Sequence, residues 1–286
     1  MKNRAWLFLL PALAFMSISA VIPLVTVVNY SQNYIFAGSM PFFVGVENFV
    51  EVLQDSQFID AVIKQFVFTF LVLIIEIPLG IIIALAMPQK GKWVPLNLVL
   101  LGIPLLIPYN VVGIIWRLFT QADIGVVPNA FKLFGYMYNV TLNSNDAFFT
   151  ILTVDVWHWT PLIILLSYAG LQAIPSAYYK AAAIDGASKW NTFKYVTLPK
   201  LRTVLTIGIL LRFMDSFKIY SEPLLLTGGG PGTATTFLSL FVSRKAESYE
   251  LGYASAASLI YFFIVLVLSY IFFQFISRVG RGVHHA

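Results

Sequence analysis

Eight ionisable side chains stand in stretches otherwise built of apolar residues: Glu76, Arg117, Asp155, His158, Arg212, Asp215, Lys218 and Glu222. Such groups are costly in a bilayer and face either a partner charge or a water-filled path. Asp155 with His158, Arg212 with Asp215, and Lys218 with Glu222 are three or four residues apart, so each pair can share a helical face. Two readings follow: internal ion pairs that fix helix packing, or the lining of a solute path. For Glu76 the plain reading is a hydrogen bond to a neighbouring helix, with a carbonyl freed near Pro78 also needing a partner. Asn110, Trp116, Trp157, His158, Asp215 and Tyr220 supply the donors, acceptors and aromatic faces that a site for a small polar solute needs, and we place such a site near mid-membrane. No metal site is expected. Cysteine is absent, and the neighbouring His284 and His285 lack a third ligand. The Gly-rich run Thr227 to Gly232 has no Gly-Lys-Ser/Thr ending, so it reads as a turn and not as a phosphate loop.

The elements that must position these groups are membrane helices. The 286 residues are 59% hydrophobic and 11% charged, with a mean hydropathy of +0.82, far from a soluble globular chain. About 20 apolar residues cross a bilayer, and six spans are expected at approximately 5 to 29, 64 to 87, 94 to 119, 147 to 173, 203 to 226 and 251 to 276. The first resembles a signal peptide at Ser17 to Ala20, but its apolar run continues through Val28, which favours a retained anchor. The fold class is therefore all-α, one membrane domain over 1–286, with a polar segment over 175–200 between spans four and five.

The net charge of +5 does not point to nucleic acid, because the basic residues cluster beside the spans. Lys2, Arg4, Lys90, Lys92, Arg278 and Arg281 fall on one side, together with Lys180, Lys189, Lys194, Lys200 and Arg202. Residues 30 to 60 hold Glu47, Glu51, Asp55 and Asp60 with no Lys or Arg, whereas Arg244 and Lys245 run against the pattern. Both termini are expected to be cytoplasmic.

Within the polar segment, Ser176 is expected to cap a short helix over Ala177 to Ile184, and Asp185-Gly186 to turn the chain into a second helix from Ala187 to about Val196. Two short helices lying on lipid headgroups, anchored by Tyr178, Tyr179, Trp190 and Phe193, are the plain reading. Yet Lys180 to Ser188 (Lys-Ala-Ala-Ala-Ile-Asp-Gly-Ala-Ser), followed by Phe193 and Leu198-Pro199, resembles the coupling motif of permease subunits of binding-protein-dependent ABC importers. Glu76 to Gly80, Pro104 to Pro108, Trp157 to Pro161 and Thr227 to Gly232 extend the resemblance to the carbohydrate subfamily. The run from Arg212 to Pro223 looks most like permeases for glycerol import.

The resemblance implies a type I importer permease with six transmembrane helices and a coupling-helix pair. Lys180, Ala181, Ala182, Asp185, Gly186 and Ala187 would then dock on a separate cytoplasmic ATPase that holds ATP and Mg. It further implies a second, different permease chain, two ATPase subunits, an extracytoplasmic solute-binding protein, and a bacterial inner membrane. The family's leading Glu is Lys180 here, a reversed charge at the ATPase contact. The cargo implied is glycerol, another polyol, a sugar or a glycerol phosphate. A secondary transporter or channel is the alternative class. A membrane enzyme lacks both a metal cluster and a nucleophile near Asp155 and His158.

Overall fold

A computed structural model describes residues 5–281; Lys2, Arg4, His284 and His285 lie outside them. Helix α1 (Ala5–Ser31) is followed by two short strands, β1 (Asn33–Tyr34) and β2 (Phe42–Phe43), and by α2 (Glu47–Gln54) and α3 (Ser56–Ala86). Then come α4 (Trp93–Leu106), α5 (Tyr109–Phe119), α6 (Val126–Lys132) and α7 (Ser144–Gln172). The polar segment forms α8 (Ser176–Ile184) and α9 (Lys189–Thr192), and the chain ends in α10 (Leu198–Ser216), α11 (Ser221–Thr227), α12 (Leu238–Glu247) and α13 (Leu251–Arg281).

Among the described residues, four helices are long and apolar enough to cross a membrane: Leu9–Ser31 within α1, α3, α7, and Leu251–Gln274 within α13. The two remaining expected spans differ from the expectation. Span three is α4 and α5, bent by 91° between Leu106 and Tyr109. Pro108 explains the break: it has no N–H to donate, and it drives Ile107 to an extended conformation with ψ of 127°. Span five is α10 and α11, interrupted over residues 217–220. The stretch from Leu198 to Thr227 carries Lys200, Arg202, Arg212, Asp215, Lys218 and Glu222, too polar for lipid. Arg212, Ser216 and Glu222 are buried in protein instead.

The chain divides into two compact units. The smaller holds the described residues up to Asp60 together with Phe241–Leu266. In it β1 and β2 pair antiparallel, Asn33 opposite Phe43 and Tyr34 opposite Phe42. Asn48 Nδ2 donates to the carbonyls of Ser31 (2.9 Å) and Asn33 (3.0 Å), and the Tyr253 hydroxyl donates to Asp55 at 2.6 Å.

The larger unit, Ala61–Leu240 with the described residues from Val267, holds every candidate site. Its core has two clusters. One joins Phe68, Val72, Ile151, Val154 and Phe237, and the other joins Ile81, Ala84, Ile164, Tyr168, Leu201 and Leu205. In lipid the hydrophobic effect does not drive helices together, so packing must do so, and small residues allow close approach. A Cβ at Gly80 would lie 2.6 Å from Ile163 Cγ2, and one at Gly170 would lie 2.7 Å from Leu201 Cδ2. These contacts clasp α3, α7 and α10 together.

The glycines give a paired prediction. Gly80→Ala is expected to destabilise by about 1–3 kcal/mol through overpacking on Ile163. Gly102→Ala, where the added Cβ meets nothing within 4 Å, is expected to be neutral or slightly stabilising. Thermal unfolding of the two purified variants checks this, and equal melting temperatures would contradict it.

Candidate functional site

The polar centre of the larger unit is Arg212, on α10 and wholly buried. Its Nε donates to Glu76 Oε2 at 2.7 Å, and one Nη2 proton goes to Glu76 Oε1 at 3.1 Å, a bidentate fork onto α3. Nη2 also donates to Asp155 Oδ2 of α7 at 2.5 Å, and Nη1 to Asp215 Oδ2 at 3.1 Å. The indole of Trp159 lies over the guanidinium, 4.8 Å from Cζ. Arginine suits this place because its planar fork can meet several carboxylates at fixed angles and stack on a ring.

A cavity of about 270 Å³ opens beside the cluster, at the lower edge of the roughly 300–1,000 Å³ typical of small-molecule pockets. Asp155, Asp215 and Glu222 supply its acids, Lys218 its amine, and Tyr109, Trp159 and Tyr220 its aromatic surface. Two interruptions in the helices create it. The bend after Ile107 starts α5 at Tyr109, and the break after Ser216 places Lys218, Tyr220 and Glu222 on irregular backbone and on the first turn of α11. Irregular backbone at this depth is tolerated where it lines a cavity.

The candidates read from sequence separate into groups. Asp215 and Tyr220 line the cavity. His158 is buried beside it, its ring 5.3 Å from that of Tyr109 and its Nδ1 3.9 Å from Glu222 Oε1, too far for a hydrogen bond. Trp116 and Trp157 stack edge to face with each other at 5.8 Å, away from the cavity, and Asn110 is exposed on the first turn of α5.

Of the expected charge pairs, Arg212 and Asp215 meet. Lys218 and Glu222 share no helical face, because α10 ends at Ser216 and α11 begins at Ser221. Arg117 is exposed and borders a separate cavity with Asp123 and Asn139. The aromatic lining, Tyr109 and Trp159, was not among the expected site residues. Its signal in the sequence is local: Trp159 stands four residues after Asp155, on the same face of α7, and Tyr109 directly follows Pro108.

The second candidate is the polar segment. α8 starts at Ser176 with Pro175 as its N-cap and no side-chain cap, so the hydroxyl of Ser176 does not take the expected role. Proline serves there because its φ is already near the helical value and its extended ψ admits the turn. At the far end the Gly186 amide donates to Ala183 O (3.2 Å) and the Ala187 amide to Ala182 O (2.9 Å), with Gly186 at φ +67°. This is a Schellman closure, which requires a left-handed residue at that position.

Ser188 then caps α9, its Oγ accepting from the Asn191 amide at 3.2 Å. Instead of ending before Pro199, the helix passes through a π turn at Phe193–Thr197 directly into α10. Pro199 follows the π turn directly, as the second residue of α10. α8 is tied to this continuous helix by Tyr178, whose hydroxyl accepts from Lys200 Nζ at 3.3 Å, and by Tyr179, whose hydroxyl accepts from Thr197 Oγ1 at 3.4 Å. Lys180, Ala181, Asp185, Gly186 and Ala187 are exposed and Ala182 is buried. Ile184 is 86% exposed and Trp190 68% exposed, leaving apolar surface at the tip of the hairpin.

Comparison with known proteins places this architecture. Residues 76–285 match the family of binding-protein-dependent transport system inner membrane components. The trehalose/maltose transport system permease protein MalF of Thermococcus litoralis is 33% identical over 96% of this chain and 93% of its own. The sulfoquinovosyl glycerol transport system permease protein SmoG of Agrobacterium fabrum is 30% identical over 95% of this chain and 90% of its own. A bacterial alginate ABC transporter, solved in complex with an alginate pentasaccharide-bound periplasmic protein, has a chain of the same fold. It superposes with a TM-score of 0.82 over 100% of this chain and 97% of that one, at 20% identity. The chain therefore belongs to the binding-protein-dependent transport system inner membrane component family, as a multi-pass ABC importer permease subunit with the type I fold, and is not an enzyme.

Proposed function

We propose that this permease forms part of the translocation path of a small polyol or sugar, glycerol being the first solute to test, and that Lys180 to Ser188 couples it to a separate cytoplasmic ATPase. The observation that carries the coupling is mechanical. An exposed, Schellman-closed hairpin is pinned by Tyr178 and Tyr179 to a helix that continues to Arg212. From Leu198 to Arg212 that helix is about 21 Å long at 1.5 Å per residue. A push on the hairpin therefore reaches the polar cluster through rigid backbone.

The cargo reading draws on the neutral sugars, trehalose and maltose, in the name of one relative. It draws also on the cavity, where acids and aromatic rings can hold hydroxyls and C–H faces together. Asp215, Tyr220 and His158 are its path residues. In this reading the acidic 30–60 stretch faces the extracytoplasmic binding protein, and the Lys-rich hairpin faces the ATPase with both termini on its side. A second, different permease chain closes the path, and two ATPase subunits bind ATP and Mg. Binding and hydrolysis of ATP bias two packings of comparable stability. Lys180 reverses the family's usual charge, so the docking energy rests on hairpin shape, and the cognate ATPase accommodates the lysine.

Three outcomes test this. Gly186→Pro cannot adopt φ +67° with a ring fixed near −65°, so it is expected to abolish co-purification of the ATPase, while Lys180→Ala assembles as wild type; normal assembly of the proline variant would refute docking through this hairpin. Arg212→Ala leaves Glu76 and Asp155 buried without a counter-charge at a cost of about 3–5 kcal/mol. It is expected to lose most of its folded yield on size-exclusion chromatography, and Arg212→Lys to recover it only in part, since an ammonium cannot reproduce the fork. Proteoliposomes holding the chain with its partners are expected to take up radiolabelled glycerol saturably, and only with ATP in the compartment that the ATPase faces. Uptake indifferent to ATP would favour a secondary transporter or channel.

A further inference from the structure

The buried guanidinium at the cavity wall is spent. Four hydrogen bonds from Arg212 run to Glu76, Asp155 and Asp215, out of the five N–H donors that an arginine has. The side chain presents almost nothing to a solute. Glu222, by contrast, is 2% exposed, lines the cavity and accepts no hydrogen bond from the described residues; His158 Nδ1, an atom itself buried without a partner, stands 3.9 Å from its Oε1. Asp215 uses Oδ2 for Arg212 and leaves Oδ1 open. The cavity lining holds three acids (Asp155, Asp215, Glu222) against one amine (Lys218), a formal balance of −2, with the Glu76–Arg212 pair buried behind it.

A buried acceptor without a donor is unfavourable unless something supplies a proton to share. The hydroxyls of a neutral polyol or sugar do so. A phosphate, sulfonate or carboxylate brings acceptors to a place already rich in them, and like charge besides. We propose that this cavity is an anion-rejecting subsite: it takes neutral polyhydroxylated solutes, with Glu222 and the free oxygen of Asp215 accepting from their hydroxyls, and it turns away phosphorylated, sulfonated or carboxylated ones. The inference rests on the importer reading for its cargo, and within that reading it selects a neutral polyol or sugar over a glycerol phosphate. Glu222 and Asp215 are thereby its specificity-determining residues, and Arg212 is a positioning residue that holds Asp215 and Asp155 in place.

Trp159, which lines the cavity, reports its charge directly. Purified permease complex is titrated at constant ionic strength with acrylamide, a neutral quencher, and with iodide, an anion. The Trp159 contribution is taken as the difference from Trp159→Phe. Acrylamide is expected to quench it, with an iodide quenching constant at least about tenfold smaller, as for an ion of like charge in an acidic cleft. Asp215→Asn combined with Glu222→Gln is expected to raise the iodide constant severalfold and leave that of acrylamide unchanged.

Equal quenching of Trp159 by the two agents would overturn the proposal. So would a Trp159 closed to both, or an iodide constant indifferent to the double substitution. If Trp159→Phe does not fold, the change in iodide quenching between wild type and Asp215→Asn alone gives the same answer. The two levels fail separately: loss of ATP-driven glycerol uptake with the quenching contrast intact removes the cargo reading, whereas equal quenching with uptake intact removes only the subsite.

Discussion

Three helices of this permease are joined in their interior by one side chain. Arg212 projects from α10 into a place where its charge has no water, and its stability there depends on Glu76 from α3 and Asp155 from α7, with Asp215 one turn along its own helix. The arrangement is obligatory in both directions. A guanidinium at that depth without carboxylates, or carboxylates without it, would be far more costly than the whole cluster. Apolar side chains can slide against one another with little change in energy, but a forked ion pair fixes distance and angle. The cluster therefore sets the relative register of α3, α7 and α10, and the glycine contacts at Gly80 and Gly170 allow the backbones to come close enough for it to form.

The cavity and the hairpin inherit their positions from that register. Acids and rings converge beside Arg212 because α5 and α11 both begin there, each after a break in the helix before it. At the other end of α10 the hairpin is an extension of the same helix, braced by two tyrosines. A single continuous helix thus has the polar cluster near one end and an exposed, partly apolar hairpin at the other.

Much of this was legible in the sequence. Long apolar runs pointed to α1, α3, α7 and α13, because about 20 mostly apolar residues in a row have few other uses. Intramembrane charges pointed to Arg212 and its partners, and the Asp185-Gly186 pair to the end of α8. Two kinds of information were not legible. One is where a span breaks: Pro108 interrupts its helix whereas Pro78 and Pro161 lie inside continuous ones, and only the packing around each proline decides between these outcomes. The other is pairing at a distance. Glu76 and Arg212 are 136 residues apart, and no local pattern connects them. For the same reason Trp116 and Trp157 suggested solute-binding aromatic faces by their chemistry, yet they pack edge to face on one another.

The uninterrupted passage from α9 through the π turn into α10 bears on how chain length can vary in relatives of this protein. Within an α-helix each residue turns the chain by about 100° and advances it 1.5 Å. Removing one residue between Leu198 and Arg212 would swing the guanidinium away from Glu76 and Asp155, carrying Asp215 with it on the same helix, while the hairpin kept its own shape. Insertions and deletions that keep the cluster intact are therefore expected in the loops that flank this stretch. Phe193–Thr197 is the exception, since a π turn already accommodates one residue beyond the α repeat. It is the one place between hairpin and cluster where a change of length could be absorbed without losing the phase between them.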